Sequence, residues 1–477
     1  MPAKLQLHPE RLFSSHAVER DIARRLYQQV ADLPIVSPHG HTDPSWFALN
    51  QPFENPTELL IKPDHYVFRM LYSQGISLEQ LGLRRRDGVA VEQDPEKIWH
   101  IFAEHFPLFH GTPSSLWLNH TFVNTFGLDV KLNKHSASHY YQVINDALQQ
   151  PEFLPRRLFE RYNIEVIATT ECATDDLAYH QQIQQSGWQG KVITAFRPDG
   201  VIDPEHEQFQ SRLDKLSQLT NLDCRDYPQY LSALRQRRAF FKQMGATSTD
   251  HGHPTAQTAD LTDAAAQALF DRIVKSGVSK TAVSAADAEL FRAHMLVKMA
   301  EMSLDDGLVM QLHPGSFRNH NEQLFRQFGR DKGADIPVAI EYVKALKPLL
   351  DKFGSNKDLS LILFTLDETN YSRELAPLAG HYPCLKLGPA WWFHDSPEGM
   401  LRFRRHTTET AGFYNTVGFN DDTRAFLSIP ARHDVARRID CRFLAGLVAE
   451  HRLNEDEAHE LAQQLTYQLV KQAYQLD

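Results

Sequence analysis

Two histidines one residue apart, His39 and His41, flank Gly40 just after the apolar run Leu33–Val36. Where a strand gives way to a loop, side chains at that spacing can both turn toward one point, and imidazole is a common ligand for zinc and similar divalent ions. An HxH pair alone is weak evidence in a chain with 24 histidines. Its weight rises because ligand-type residues end other apolar runs: Asp250, His313 and Asp422. Asp422 is the natural third ligand or a proton carrier, and a histidine-plus-carboxylate set with an open position supports catalysis by a metal. Arg197 and Arg424 also follow such runs. Each supplies a planar fork for a carboxylate or phosphate. Taken singly they read as rim salt bridges; converging, they suggest an anionic small substrate.

Three further groups carry weaker signals. His65 and Tyr66 follow Asp64 at the start of an apolar helical stretch, a placement that is more often structural than catalytic. A tyrosine held near a cation could ionise and act as a base. Trp391-Trp392-Phe393 could form a wall on which a sugar ring stacks, or plain packing, with equal weight. Arg318 and Asn319 offer donors suited to hydroxyls, or form a solvated loop. No GxSxG elbow, Walker-type loop or GxGxxG fingerprint occurs, which disfavours serine acyl transfer, ATP use and dinucleotide chemistry.

The elements that must position these residues are short β-branched runs that turn abruptly polar. The candidates are Pro34–Ser37, Ile164–Ala168, Val192–Phe196, Ala239–Ala246, Leu308–Leu312, Leu359–Phe364, Cys384–Leu387 and Thr416–Phe419. Helical patterns lie between them: Asp94-Pro95 caps one with Ile98, Phe102 and Phe106 on a face, and Asn454 opens another with Ala458, Leu461, Leu465 and Leu469. Alternating buried strands and helices imply parallel βαβ units, and eight strands suit a closed barrel with its chemistry at the C-terminal strand ends. Roughly 125 residues separate the first two strands, far more than a βα unit needs. The expected architecture is a distorted (β/α)₈ TIM-like barrel with a large helical insertion after the first strand. It divides into an N-terminal helix and first strand (1–41), an insertion over the barrel mouth (42–158), and the remaining barrel with C-terminal helices (159–477). The insertion can lend side chains to the site and exclude water.

Composition is that of a folded globular chain: 477 residues, 42% hydrophobic and 23% charged. A net charge of −10 offers no general attraction to nucleic acid or an anionic membrane, so an anionic ligand must be held by local arginines. The four cysteines form no CxxC pair, the first fifteen residues lack the apolar core of a signal peptide, and no apolar run is long enough to span a bilayer. A cytoplasmic protein is expected, with a homo-oligomer left open.

The chain resembles the uronate isomerase (glucuronate isomerase) family of the amidohydrolase superfamily, nearly end to end. The resemblance lies in Pro38-His-Gly-His41, Asp64-His-Tyr66, Phe196-Arg-Pro-Asp199, Thr249-Asp-His-Gly252, Gln311-Leu-His313 with Arg318-Asn319, Trp391-Trp-Phe393 and Asp422-Thr-Arg424 through Ser428. The HxH alone indicates only the superfamily; the combination is far more specific. One departure is Gly40, where many relatives have Cys.

The resemblance implies interconversion of D-glucuronate with D-fructuronate and of D-galacturonate with D-tagaturonate through an enediol. His39, His41 and Asp422 would hold a single divalent metal, zinc. Asp422 would handle the C5-hydroxyl proton in ring opening, and Tyr66 with His65 would shuttle a proton from C2 to C1. Arg197 and Arg424 would bind the carboxylate or stabilise enediolate charge, and His313, Asp250, Trp391, Arg318 and Asn319 would line the substrate. The alternative is a metal-dependent hydrolase of the same superfamily, acting on an amide or lactone through an activated water. Against it, the fourth run leads to Ser248-Thr-Asp250 and the sixth to Thr365-Leu-Asp367, neither offering the lysine, glutamate or histidine expected of a two-metal hydrolase.

Overall fold

Among the described residues nine strands form, most of them short aliphatic runs that can fill two buried faces at once, which favours β-branched residues. In chain order they are β1 (Ile35–Ser37), β2 (Ile164–Cys172), β3 (Lys191–Arg197), β4 (Ser248–His251), β5 (Val309–Leu312), β6 (Ser316–Phe317), β7 (Ile336–Pro337), β8 (Leu361–Leu363) and β9 (Leu385–Leu387). Seven build one parallel sheet in the order β1-β2-β3-β4-β5-β8-β9, a curled half-barrel, and β6 pairs with β7 antiparallel. The structure is a computed structural model that describes residues 4–278 and 283–476. Residues 1–3, part of the segment read for a leader, and residues 279–282 and 477 of the third expected span lie outside them.

The period of two is visible in the packing. Val36, Val166, Ala168, Ile193, Val309 and Ile362 share one buried cluster with Val470, Ala473 and Tyr474 of the C-terminal helix Leu469–Tyr474. Their neighbours Phe196, Met310, Leu312, Leu361 and Leu363 point to a second cluster, against Tyr230 and Leu234 of helix Tyr227–Gln243 and Phe291 and Met295 of helix Ala285–Asp306. Each Val, Leu, Ile, Phe or Met side chain among them stabilises by about 1.5–3 kcal/mol when fully buried. Among the described residues no helix is long and apolar enough to cross a membrane, and the four cysteines are free.

Two strand expectations are corrected. Ala239–Ala246 is the end of helix Tyr227–Gln243 and its turn, and the strand is the polar Ser248–His251. All four β4 residues are buried, with Thr249 Oγ1 3.0 Å from His251 Nε2, so internal pairing replaces the apolar pattern a strand usually shows. Thr416–Phe419 forms an isolated parallel bridge at Leu387↔Thr416 and not a strand. That segment still bonds to β9, and residues after it meet the loop that follows β1. Leu387 N donates to Asn415 O (2.8 Å), Val417 N to Leu387 O (3.1 Å) and His41 N to Thr423 O (3.1 Å).

Between β1 and β2 run seven α-helices, from Pro44–Leu49 to Pro155–Arg161. Five of them start on proline, at Pro44, Pro56, Pro95, Pro113 and Pro155, where its fixed φ suits the first turn and its missing N–H costs nothing. They enclose their own core around Phe47, Trp99, Phe102, Phe122 and Tyr140, which Ile35 of β1 and Ile164 and Ile167 of β2 join. The helices expected after Asp94 and Asn454 are Pro95–Glu104 and Glu455–Gln463, the latter with a capping box from Asn454 and Glu457.

Candidate active site

β1 ends at Ser37, and the chain then carries His39 and His41 toward the segment that holds Asp422. Asp422 Oδ1 lies 3.2 Å from His41 Nε2 and 3.5 Å from His39 Nε2. It is buried and accepts no aligned hydrogen bond, while Trp391 Nε1 donates to Oδ2. The backbone at Asp422 has φ 39°, a left-handed conformation that short polar residues tolerate and that functional sites often retain. One ligand atom from each of the three side chains lies within 4.8 Å of the other two. Two imidazoles and an oxygen left unpaired at their focus suit a divalent cation. Burial pushes the His41 ring below its ordinary value against the pull of Asp422. Burial would raise Asp422, but His41, His39 and the Trp391 indole hold it well below the usual carboxylate range. Gln311 Nε2 sits 3.3 Å from His39 Nδ1, and Tyr474 OH donates to Gln311 Oε1 (2.9 Å), so the C-terminal helix braces His39 from below.

Asp250 and His313, from the ends of β4 and β5, form the floor. Asp250 is fully buried; its oxygens lie 2.7 Å from His313 Nε2, 3.3 Å from Arg197 Nη1 and 3.9 Å from His39 Nε2. Arg197, the last residue of β3, also donates from Nε to Asp199 Oδ2 (2.9 Å). Gly252 makes room for it: a Cβ there would stand 2.5 Å from Arg197 Nη2 and 2.8 Å from His313 Cε1. Trp391 packs edge-on to His313 (5.0 Å between centroids) and to Phe364 (5.8 Å).

Tyr66 comes from the helical region. Asp64 caps helix His65–Tyr72 by accepting from Tyr66 N (2.8 Å), and Val67, Phe68 and Leu71 anchor it in the core. The cap fixes His65 and Tyr66 in the first turn, a contribution of about 1 kcal/mol. Tyr66 OH donates to Asp395 Oδ1 (2.9 Å) and accepts from Phe393 N (3.2 Å). Arg432 Nη1 donates to Asp395 Oδ2 (2.9 Å) and to Asp421 O (3.3 Å), with its guanidinium 3.6 Å above Trp117. Burial, then Asp395, pushes the phenol well above its ordinary value although Arg432 opposes them. His65 stacks on Tyr66 at 4.8 Å, its Nδ1 buried without a partner. Burial, then Arg424, Arg432 and Arg69, lowers it to about 3, so it is neutral at working pH.

One cavity of about 910 Å³ is lined by all of the sequence-expected site residues except Asp250, which lies beneath it. On its rim Arg424 is partly exposed and 3.5 Å from Asp331 Oδ2, Arg318 pairs with Asp335 (2.8 Å), Asp335 Oδ1 accepts from Asn319 N (2.7 Å), and Arg318 lies 5.5 Å from the Trp392 ring centre. Burial would raise Asp331, but Arg424, Arg318 and Arg197 hold it down at about 2. Sequence reasoning missed Asp331, Asp395, Arg432 and Gln311. Asp395 stands two residues before Pro397 and reads as a helix-start residue, and Arg432 sits inside a long helix. Neither carries a local signal.

Residues 11–474 match the family model described as glucuronate isomerase. The chain is 66% identical over 472 residues to the uronate isomerase of Xanthomonas axonopodis pv. citri, covering 99% of each. It is 60% identical to the glucuronate isomerase of Caulobacter crescentus in its crystal structure, with a TM-score of 0.97 over 99% of this chain and 98% of that one. The uronate isomerase structure from Thermotoga maritima, at 24% identity, shares the fold, with a TM-score of 0.91 over 98% and 99%.

Proposed function

The chain belongs to the glucuronate isomerase family, its activity is the aldose–ketose isomerisation of a uronate, and on that premise we propose how its site divides the chemistry. The hydrolase alternative is not favoured, since the relatives that match this chain at 66% and 60% identity are isomerases. The substrates are D-glucuronate and D-galacturonate, and the ketose products D-fructuronate and D-tagaturonate. The Asn415–Thr423 segment acts as an eighth stave, and the helices between β1 and β2 as an insertion over the mouth that excludes water. The reading is carried by one observation: a single cavity is lined by a histidine–carboxylate trio, a phenol paired with a buried carboxylate, and six arginines, Arg197 and Arg424 among them.

Ring opening breaks the bond from C1 to the ring oxygen. The C1 hydroxyl loses a proton as the ring oxygen gains one and becomes the C5 hydroxyl. Asp422, facing the cavity between His41 and Trp391, carries that proton. Isomerisation then moves hydrogen from C2 to C1 while a second proton passes from O2 to O1. Asp395 accepts the phenol proton as the Tyr66 oxygen takes the C2 hydrogen, and Tyr66 delivers that hydrogen to C1 before Asp395 returns its own. His65 takes the O2 proton and returns it to O1. Arg197 and Arg424 hold the substrate carboxylate, Arg424 exchanging Asp331 for it. His39, His41 and Asp422 are the residues that would hold a divalent ion, zinc in this reading; bound there, it would polarise sugar oxygens and stabilise enediolate charge.

Incubation of the metal-replete protein with D-glucuronate should yield ketose, and a preparation that forms none refutes the substrate. With substrate deuterated at C2, transfer through the exchangeable Tyr66 hydroxyl predicts partial loss of label to solvent, the rest being returned to C1. Full retention in the product over many turnovers would point to a hydride shift instead.

A further inference from the structure

Behind Arg197 lies a second group of ligand-type side chains that the chemistry above does not use. β4 turns alternate residues to opposite faces, so Asp250 faces the cavity floor while His251 faces away from it. His251 is fully buried, and its Nδ1 has no hydrogen-bond partner. His253 is 5% exposed, and its Nε2 has none either. Asp199 completes the group: one ligand atom from each of the three lies within 4.8 Å of the others. Its carboxylate is already oriented by Arg197 Nε at 2.9 Å and by Gly252 N at 3.1 and 3.2 Å. Buried imidazole nitrogens normally have a partner, and two without one beside a carboxylate form a donor set that a cation could complete.

We propose that Asp199, His251 and His253 form a second divalent-cation site, distinct from His39, His41 and Asp422. Two imidazoles and one carboxylate make a donor set for a borderline ion such as zinc. The new site is linked to the cavity floor through one guanidinium, since Arg197 touches Asp199 with Nε and, at 3.3 Å, Asp250 with Nη1. A cation that draws on Asp199 loosens that carboxylate's hold on Arg197 and leaves more of its positive charge for an anionic substrate. The site therefore governs substrate affinity more than the proton transfers. This effect on affinity rests on Arg197 binding the uronate carboxylate; the cation site does not.

The test is metal stoichiometry. Protein stripped with chelator and dialysed against zinc should bind two equivalents per chain by mass spectrometry of the metal. His253→Gln and Asp199→Asn should each retain one, and so should His41→Asn. Diffraction at the zinc edge should give anomalous peaks at both sites in the wild type. A single equivalent, unchanged by His253→Gln and Asp199→Asn and with no peak between Asp199, His251 and His253, overturns the proposal. Should His253→Gln fail to fold by circular dichroism, the wild-type count and anomalous map still decide. In His253→Gln, KM for D-glucuronate should rise more than kcat falls. Ketose formation by the wild type is a separate readout, so failure of the isomerase reading leaves the metal count intact.

Discussion

The Tyr66–Asp395 pair sets the sharpest prediction. Tyr66→Phe removes the phenol that donates to Asp395 at 2.9 Å. Positioned acid–base groups contribute about 10²–10⁴-fold, or about 3–5 kcal/mol of transition-state stabilisation. Asp395→Asn preserves shape and an acceptor oxygen but cannot take up a proton, so kcat should fall about 10²-fold. It also strips Arg432 of its one charged partner at Oδ2, leaving Asp421 O at 3.3 Å, Ser428 Oγ at 3.1 Å and the Trp117 face at 3.6 Å. Removing one member of a buried pair costs about 3–5 kcal/mol, and these neutral partners place the loss at the lower end. The double variant decides between relay and independence. If Asp395 acts through Tyr66, the double variant is no slower than the slower single one, a coupling of about 3 kcal/mol. Ketose formation at saturating D-glucuronate, alongside urea unfolding of each variant, measures both quantities. Losses that multiply across the two sites, or Asp395→Asn within a few-fold of wild type, would refute the relay.

Other perturbations read other parts of the site. Gly252→Ala sets a methyl against Arg197 and His313, so KM for D-glucuronate should rise at least about tenfold; an unchanged KM would free Arg197 from the carboxylate. Asp422→Asn should lower zinc bound at the His39–His41 site and cut kcat about 10²-fold or more, and a variant that keeps both would leave the carboxylate without either role. Glu171, at the end of β2, is raised to about 7 by burial, while hydrogen bonds from Thr194 and Thr169 oppose the shift. Its folded value exceeds the unfolded one, so the folded state holds an extra proton between roughly pH 4.5 and 7, and stability falls as pH rises through that window by about 3 kcal/mol. Glu171→Gln should flatten that slope in urea titrations at pH 5 and pH 8; an unchanged slope would sink the assignment.

Much of this was legible because it is local. Asp64, Asp94 and Asn454 announce helix starts through side chains that reach only two or three residues ahead. His39 and His41 sit one residue apart at a strand end, and aliphatic alternation marks β2, β3 and β5. β4 escaped detection because its burial is served by hydrogen-bonding side chains that hydropathy cannot see. The Ala239–Ala246 run misled for the converse reason: its apolar residues line a helix end.

By itself the sequence determined which residue types were available at strand ends, a histidine pair, carboxylates and arginines, and hence the class of chemistry. Which of them meet was decided only by the tertiary structure. Tyr66 reaches Asp395 across 329 positions and His39 reaches Gln311 across 272, contacts that no local pattern encodes. The protonation states follow from the same meeting. Tyr66 is a phenol because the fold buries it against Asp395, and Asp422 an anion because the fold surrounds it with His41, His39 and the Trp391 indole. Burial and neighbours set those charges, and both are properties of the assembled chain.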